Sequence, residues 1–342
     1  MALKNKKIIG ADIGAGTLQL VSANGRGKIT RAVSYELPSG LVTQMQISSP
    51  EVLIKTIKSA KRAGGISGSS CILCLGGSDV IIRHILLPAM NDAQIYENVV
   101  SEISAYLPVN TENYSIDYSI EDDKPDRPSS QLKVMVVAIP KAPLKMYMDC
   151  FKKAGLKVSA IDISENSQEK LIRHLMHSKG QSGFNFGVMD LGSETTNITT
   201  YLNGHFFVNK VAGIGGSVLT TDLAEALEVD MLAAETLKRQ ENYFESYSPA
   251  QRMVMNYADQ IIFEANRVLD YFRNRNSREA IEKVFICGGG SQLPGLPEYL
   301  QTNLDVEIES LNALMAPLFT KPPAASDHSV FAAAIGATFR EV

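Results

Sequence analysis

The chain lacks several features that would define its class at once. Its 342 residues contain no tryptophan and no window with the roughly 18 apolar residues that a membrane-spanning helix needs. The apolar run Ile8-Ile9, which follows the first lysines, is too short for the core of a signal peptide. A net charge of only −4 gives no overall footprint for nucleic-acid binding. If the protein works at a membrane, we expect a partner to recruit it there.

Cysteine and histidine are also scarce, with four and five residues respectively. Cys71 and Cys74 form a CxxC, but an offset of three on a predicted strand puts them on opposite faces. A zinc ribbon would also need a second pair, so we expect buried thiols in a reducing compartment. His174 and His177 lie three apart on a predicted helix with no third ligand nearby. We interpret them as surface histidines.

Length and composition indicate about two soluble domains of roughly 150 residues each. One short pattern occurs twice, in residues 8–17 and 188–196, where an apolar strand ends in Asp-x-Gly. Asn-Gly, a strong hairpin signal, follows each copy at a nearly equal offset, as Asn24-Gly25 and Asn203-Gly204. This repetition predicts an internal duplication, with one anionic ligand gripped between the halves.

The elements around the two copies predict an α/β protein. Each copy opens a meander of three strands, and the first meander leads into a helix at 50–63 and a further strand at 70–75. That order is typical of a ribonuclease-H-like unit. A strand–helix–strand insertion is predicted within the first half, with a polar, mobile loop at 121–130. A small-sided helix at 329–340 is expected to pack closely against another element.

Asp12 and Asp190 stand at the two strand ends. The backbone amides of the glycine turns that follow can bind phosphate oxygens. A carboxylate there would repel a bare phosphate, but it can orient a hydrated Mg²⁺ that bridges phosphates. The hydroxyls of Thr17, Ser193 and Thr195 can assist. Either Asp-x-Gly alone reads as an ordinary hairpin turn, whereas the matched pair favours a phosphate site.

The run from Gly288 to Ser291 follows a predicted strand and offers a flat surface for a planar group or a phosphate. It is not G-x-G-x-x-G, and Pro294 stands where a dinucleotide-binding helix would continue, so we reject a nicotinamide site. No G-x-x-x-x-G-K-[ST] occurs either. The glycines of 213–216 before a helix suit either a binding loop or a purely structural turn.

Together these motifs resemble the actin-like ATPase superfamily. The domain order is similar to that of the cell-division protein family FtsA and, more closely, of the type IV pilus assembly protein family PilM. The stretches that resemble PilM are residues 102–108 with Asp117-Tyr118 after them, 234–238, and 286–296. The resemblance covers essentially the whole chain. It implies an actin-like α/β fold of two duplicated ribonuclease-H-like domains, with a small α+β subdomain inserted in the first half.

The resemblance also implies a division of the chain. The expected parts are a first core (1–83, 158–184 and 325–342), an inserted subdomain (84–157), a second core (185–212 and 280–324) and a helical subdomain (213–279).

The site residues implied by the resemblance bind ATP or ADP with Mg²⁺, which Asp12 and Asp190 would hold through water. The first phosphate loop would comprise Asp12, Gly14, Ala15, Gly16 and Thr17, and the second Asp190, Gly192, Ser193, Glu194 and Thr195. Gly215 and Gly216 would close on the nucleotide, and Glu235 and Lys238 would lie by the ribose and adenine. The adenosine motif would comprise Gly288, Gly289, Gly290 and Ser291.

Gln19 is a departure from the pattern, because loops of these families often carry a lysine shortly after the first phosphate turn. We therefore expect nucleotide binding and, at most, slow hydrolysis. No residue that orients the attacking water is identified from the sequence. Glu165 and Asn166, at the start of the helix that links the halves, are only positional candidates.

As a partner, the resemblance implies the short cytoplasmic tail of a PilN-like inner-membrane protein, seated between the inserted subdomain and the first core. The chain would be cytoplasmic and peripheral at the inner membrane, with possible self-association but without nucleic acid or direct membrane insertion. An FtsA-like division protein is one alternative, disfavoured because the chain stops at 342 without an amphipathic membrane helix. A small-molecule kinase of the same superfamily is another, but the first half offers no convincing catalytic aspartate.

Overall fold

The computed structural model describes residues 7–25, 27–107, 110–121, 131–181, 183–245, 248–276, 279–321, 323 and 327–339. The predicted polar loop therefore lies almost wholly outside the described residues. The strands of the described ranges, in chain order, are β1 Ile8–Ile13, β2 Thr17–Ala23, β3 Ile29–Glu36, β4 Val42–Thr43, β5 Gln46–Ile47, β6 Ser70–Leu75, β7 Ile81–Pro88, β8 Tyr114–Glu121, β9 Gln131–Pro140, β10 Lys157–Ile163, β11 Phe186–Leu191, β12 Thr196–Leu202, β13 His205–Ala212, β14 Lys283–Cys287 and β15 Glu307–Ser310.

The helices are amphipathic and cover the sheets. In the same ranges they are α1 Pro50–Ala63, α2 Asp92–Ser104, α3 Lys141–Lys153, α4 Ser164–His177, α5 Gly216–Leu227, α6 Met231–Gln240, α7 Pro249–Arg275, α8 Leu296–Asn303, α9 Leu311–Met315 and α10 Ala332–Ala337. Within the described residues, none of them is both long and apolar enough to cross a membrane.

Two five-stranded sheets repeat one topology. In the first, the strand order is β10-β6-β1-β2-β3, and in the second it is β13-β12-β11-β14-β15. Each sheet consists of an antiparallel meander followed by two parallel strands. The registers match as well, because Asp12 pairs with Gln19 across the first hairpin and Asp190 pairs with Asn197 across the second. The predicted duplication is confirmed, and β15 completes a second sheet whose last strand the sequence did not reveal.

The two Asn-Gly turns differ from each other. Asn203 and Gly204 both have positive φ (54° and 83°), as a tight two-residue hairpin turn requires. Asn24 begins a wider turn, in which its N–H donates to the carbonyl oxygen of Lys28 (2.9 Å) and its Oδ1 accepts from the N–H of Lys28 (3.1 Å). Both Asn-Gly pairs therefore lie in hairpin turns, as predicted, but the first turn is the longer one.

Helices cover both faces of the first sheet. Gly64, just after α1, packs against Val33 of β3, and α3 packs beside α1. On the opposite face, α10 approaches β1 so closely that a Cβ on Gly10 would lie 1.9 Å from the carbonyl oxygen of Ala334. The predicted close packing of the small-sided terminal helix is confirmed, although its α-helical part is short and follows a single 3₁₀ turn at Ser329–Phe331.

The inserted sheet has the order β7-β9-β8. On one face, α2 buries Ile95, Val99 and Ile103 against a small core that includes Val134 and Val136. The opposite face turns toward the main core of the first half, against which Met135 and Val137 pack. The predicted division of the chain into four parts stays a prediction.

All four cysteines are buried free thiols. Cys71 joins the main core of the first half, whereas Cys74 packs with Ala333 and Ala337 of α10. The expected placement of the CxxC pair on opposite faces of one strand is confirmed.

Candidate functional site

The β1–β2 and β11–β12 loops have the same turn. In the first, the N–H of Gly14 donates to the carbonyl oxygen of Thr17 (3.0 Å), and in the second the N–H of Gly192 donates to that of Thr195 (2.9 Å). A Cβ on Gly192 would lie 2.8 Å from that same oxygen, so the second turn needs glycine. The sequence pattern Asp-x-Gly therefore encodes a real and repeated geometry.

The two loops meet each other. A Cβ on Gly16 would lie 2.9 Å from the Cβ of Ser193, so the first loop touches the second. Beside this contact, the hydroxyl of Thr43 donates to Oε1 of Glu194 (3.3 Å). The duplicated halves thus face each other across the loops, as the sequence predicted.

Backbone amides line these turns. No hydrogen bond within the described part of the chain uses the N–H groups of Ala15, Gly16, Ser193 or Glu194. Successive amides of this kind bind phosphate oxygens well, because the backbone holds the N–H donors in place and the amides carry no net charge that must be desolvated. The loops therefore have the donor set of an anion site.

Asp12 and Asp190 lie half-buried at the ends of the two strands, where the loops meet. Burial raises the pKa of Asp12 to about 7, and the charge of Asp190 adds to the rise. Burial likewise raises the pKa of Asp190 to about 6, against the effect of Gln168, whose Nε2 donates to its Oδ2 (2.9 Å). No lysine or arginine in the described part of the chain lowers either pKa, so the two carboxyl groups share a partly desolvated site without a balancing cation from those residues.

This carboxylate pair fits a hydrated magnesium ion. Mg²⁺ keeps several waters and commonly takes only one or two protein carboxylates together with phosphate oxygens. Among the described residues, no group of three or more His, Cys, Asp or Glu side chains could hold a metal alone. Asp12 and Asp190 therefore suit a cation that arrives with its own water and an anionic ligand.

Three residues that lie next to the aspartates were not predicted from the sequence. Cys74 lies in register beside Asp12 on the adjacent parallel strand, and Cys287 lies in register beside Asp190. Burial and the nearby carboxylates raise the pKa of both thiols well above the ordinary range, so they are neutral. Gln168 of α4 is the third, since it binds Asp190. Aligning the two halves strand by strand would have revealed the cysteine pair, but no local signal marks Gln168.

Gln19 does not replace the lysine that related loops often carry, because its side chain is neutral. It is buried, and its Nε2 donates to the hydroxyl of Thr17 (2.7 Å) and, more weakly, to that of Ser34 (3.4 Å). Asn197 holds the equivalent register position in the second half, and its Oδ1 is buried without a hydrogen-bond partner among the described residues. Gln19 thus stabilises the first loop through its hydrogen bond to Thr17.

The two positional candidates for orienting water lie in different surroundings. Glu165 is buried, its Oε1 accepts from Nδ2 of Asn209 (3.1 Å), and its Oε2 has no partner in the described part of the chain. Burial raises the pKa of Glu165 to about 7. Asn166 instead donates to Asp162 (2.7 Å). Of the two, Glu165 is therefore the one with a buried carboxylate oxygen that no described residue binds and that could take a proton.

The glycines at the start of α5 are tied to the second loop. The N–H of Gly216 donates to the carbonyl oxygen of Gly192 (3.0 Å), and a Cβ on Gly215 would overlap the backbone of Glu194. The Nζ of Lys238 donates to the carbonyl oxygen of Gly216 (3.0 Å).

Lys238 also pairs with Glu235 (2.5 Å), whose Oε2 accepts from the hydroxyl of Thr220 (2.6 Å). The structure therefore brings the residues expected near the ribose and adenine onto the helix pair directly behind this loop.

The glycine run after β14 completes the site. Gly288 has φ 82° and lies against Asp190, where a Cβ would come within 2.5 Å of Oδ1. Next to it, Gly289 has open space on its Cβ side. The hydroxyl of Ser291 donates to the carbonyl oxygen of Gly288 (2.7 Å) and lies 3.3 Å from that of Ser329. The predicted adenosine motif thus adjoins the second loop.

Solved structures with the same architecture span the whole chain. The PilM-PilN type IV pilus biogenesis complex superposes with a TM-score of 0.82 at 23% identity, covering 97% of this chain and 98% of the other. The ethanolamine utilization protein EutJ from Carboxydothermus hydrogenoformans gives 0.60 at 14% identity (99% and 92%). MreB5 of Spiroplasma citri bound to ADP gives 0.58 at 10% identity (98% and 96%). The predicted actin-like fold is confirmed.

Comparison of the sequence with known families identifies one family. No curated protein matches the chain. The family described as type IV pilus assembly protein PilM matches residues 10–341, which is nearly the full length. Both the duplicated loops and the adenosine motif lie inside this match. The chain belongs to the PilM family of type IV pilus assembly proteins.

Proposed function

We propose that this PilM-family chain binds ATP or ADP with Mg²⁺ between its two halves and uses the bound nucleotide in assembling the pilus machinery. The observation that carries this proposal is the meeting of two turns with the same hydrogen bond, each with amides that no described residue uses and a half-buried aspartate of raised pKa. The same fold binds ADP in MreB5 of Spiroplasma citri, which supports the proposal at the level of fold.

In this proposal the residues divide by role. Asp12 and Asp190 hold the hydrated Mg²⁺, whose charge offsets that of the phosphates. Amides of the two loops bind phosphate oxygens, and the run from Gly288 to Ser291 receives the adenosine. Glu235 and Lys238 position the start of α5 and approach the ribose. The four-part division predicted from the sequence describes the bodies that close on the ligand.

Hydrolysis is slow in this proposal. Gln19 supplies no positive charge to the phosphates, because its side chain is a neutral amide, and its Nε2 already binds Thr17 and Ser34. Glu165 is our candidate for orienting water, because one of its oxygen atoms is free and its pKa of about 7 lets it accept a proton near neutral pH. The nucleotide then serves mainly to hold the halves together.

The proposed partner is a short cytoplasmic tail of a PilN-like inner-membrane protein, which would place this cytoplasmic chain at that membrane. The similar structure is a complex of PilM with PilN. On the inserted sheet, Leu86 is 61% exposed and shares a face with Met135 and Val137, which pack against the first core. An exposed large apolar side chain at the edge of such a junction suits a peptide-binding groove.

One strand connects the proposed groove with the nucleotide site. The ring of His84, on the face of the inserted sheet opposite α2, lies 5.5 Å from that of Phe206 in β13. The N–H of Phe206 donates to Oε2 of Glu169 on α4 (3.0 Å), and Asn209, further along β13, binds Glu165. This arrangement supports our proposal that closure on ATP also sets the shape of the groove.

Thermal unfolding tests the nucleotide proposal. We expect Mg-ATP at 100 times its Kd to stabilise the wild-type chain by about 2.7 kcal/mol, since a ligand of the folded state shifts the unfolding equilibrium. Asp190→Asn removes one charge that holds the cation, so its shift with Mg-ATP should be small. Asp270→Asn, on the exposed side of α7, is the matched control and should respond like wild type. An unshifted wild type, or a full shift in Asp190→Asn, would contradict the proposal.

Fluorescence anisotropy with a labelled peptide of the PilN-like tail tests the partner proposal. We expect Leu86→Asp to raise the Kd about tenfold or more, because it puts a charge into an apolar contact. Leu232→Asp changes an even more exposed leucine (79%) on α6, in the other half, and should leave the Kd unchanged. Equal weakening by both variants, or by neither, would exclude this groove as the tail site.

A further inference from the structure

Two neighbouring helices of the first half carry an unusual excess of positive charge. Their basic residues are Lys55, Lys58, Lys61 and Arg62 on α1 and Lys141, Lys145, Lys152 and Lys153 on α3. Only Glu51 and Asp149 oppose these eight cations within the two helices, which gives a local charge of +6. The whole chain has a net charge of −4, so the remainder is distinctly acidic. Such asymmetry indicates a surface for an anionic partner.

The two helices form one outer layer. They pack side by side on the same face of the first sheet, away from α4 and α10. Seven of the cations are exposed: Lys55, Lys58, Arg62, Lys141, Lys145, Lys152 and Lys153. Within the described ranges, no carboxylate comes within ion-pair distance of any of these seven. Their charge is therefore not neutralised by any carboxylate in the part of the chain that the structure describes.

Helix ends account for only part of this pattern. Cations in the last turn are favourable because they meet the negative end of the helix dipole, which explains Lys61, Arg62, Lys152 and Lys153. Lys141 and Lys145 lie at the opposite end of α3, where the dipole disfavours a cation. Lys55 and Lys58 lie in the middle of α1. Half of the basic residues thus lie where the helix dipole does not favour a cation.

Apolar side chains are exposed among the lysines. Met146 and Met148 are each 40% exposed on α3, and Val52 is 37% exposed on α1. Lysine stems are themselves apolar and can lie along a surface while the ammonium group reaches an anion. A face that mixes cations with partly exposed apolar groups matches the headgroup region of a bilayer, where both kinds of group are satisfied.

The extent of the face distinguishes a bilayer from a peptide. From Val52 to Arg62 and from Lys141 to Lys153 the helices run about 15 to 18 Å, and packed helices lie roughly 8–10 Å apart. An acidic peptide would follow one line across this area, whereas a bilayer presents anionic headgroups to all of it. We infer that the α1–α3 face is a contact surface for an anionic lipid bilayer.

This contact adds to the proposed tail and does not depend on it. Each lysine or arginine near an anionic bilayer contributes modestly, and the attraction fades within about one Debye length, roughly 10 Å at 0.1 M salt. A bilayer contact of this strength is reversible and would orient a chain that a partner already holds near the membrane. It requires no spanning or inserted helix.

Vesicle co-sedimentation of the full chain tests the inference. We expect binding to vesicles of phosphatidylcholine with phosphatidylglycerol, no binding to phosphatidylcholine alone, and release at high salt. Replacing Lys55, Lys58, Lys145 and Lys152 together by glutamine should raise the lipid concentration for half-binding by about tenfold or more. The matched control replaces four exposed cations elsewhere by glutamine: Lys179, Arg252, Arg273 and Lys321. It should bind like wild type, and thermal melts confirm that both variants fold.

Three results would overturn the inference. They are a wild type that ignores phosphatidylglycerol, equal binding by the two variants, and binding that salt does not weaken. Capture of poly-L-glutamate without vesicle binding would assign the face to an acidic protein instead and would equally reject the bilayer. The nucleotide and tail measurements contain no lipid, so failure here leaves the proposed function untouched.

Discussion

Replacing Asp12 by asparagine is expected to stabilise the ligand-free protein at alkaline pH, although it removes a residue of the proposed site. The side chain is half-buried beside Asp190, and its pKa rises from 3.8 to about 7 on folding. Above that pH, the folded chain holds a partly desolvated charge that the unfolded chain would leave in water. An asparagine of the same shape removes the penalty, which we put at roughly 2–4 kcal/mol.

The pH dependence follows from the direction of the pKa shift. Because the folded pKa is the higher one, the folded state binds more protons than the unfolded state between about pH 4 and pH 7. The contribution of Asp12 to stability is therefore complete below pH 4 and is lost as the pH rises through 7. The advantage of Asp12→Asn should be small near pH 5 and largest near pH 8.

Denaturant unfolding at the two pH values, with and without Mg-ATP, measures both effects. At pH 8 the variant should be more stable than wild type without ligand, yet gain little from Mg-ATP. Asp305→Asn, an exposed control, should show neither change. The prediction is contradicted if Asp12→Asn is less stable than wild type, or if its gain in stability does not grow with pH. Either result would mean that hydrogen-bond partners within the protein stabilise the charged aspartate, so that it needs no bound cation.

Such opposite effects on stability and on ligand binding are typical of functional sites, where stability is given up for binding.

The two loops of the site could be predicted from short segments of the sequence. Gly14 and Gly192 each open a turn of the same hydrogen-bonding pattern, and an aspartate precedes each turn by two residues. The turn, the strand before it and the repeat of both are properties of short segments, so spacing alone predicted the two loops and their partnership.

Contacts between distant segments could not be predicted in this way. Gln168 reaches Asp190 only because α4 lies across both sheets, and Glu165 meets Asn209 for the same reason. The register that places Cys74 beside Asp12 depends on how β6 pairs with β1. β15 is only four residues long and has mixed burial, so its alternation is too short to read. Tertiary packing decides each of these features.

Replacing Gly336 by alanine is expected to destabilise the protein strongly, against the usual effect of this change. In most helix interiors the substitution gains roughly 0.5–1 kcal/mol, because alanine loses less backbone entropy on folding. Here a Cβ would lie 1.8 Å from the carbonyl oxygen of Ser167 and 2.4 Å from its carbonyl carbon. Those atoms belong to the backbone of α4 and cannot rotate away.

The backbones must therefore separate, and α10 has little room to move. On its other side, β1 approaches so closely that a Cβ on Gly10 would meet the carbonyl group of Ala334. The short helix is wedged between β1 and α4, and α4 also carries Glu165 and Gln168 into the site. We expect a loss of roughly 3 kcal/mol or more in the free energy of unfolding.

Gly213→Ala is the matched control, because no atom lies within 4 Å of its Cβ position and its φ is not left-handed. Denaturant midpoints of the two variants should differ clearly, with Gly213→Ala close to wild type. A Gly336→Ala protein as stable as wild type would show that α10 can retreat from α4 without cost. In that case the crossing of the two helices would not be what holds α4 beneath the cleft, and another contact would have to fix Glu165 and Gln168.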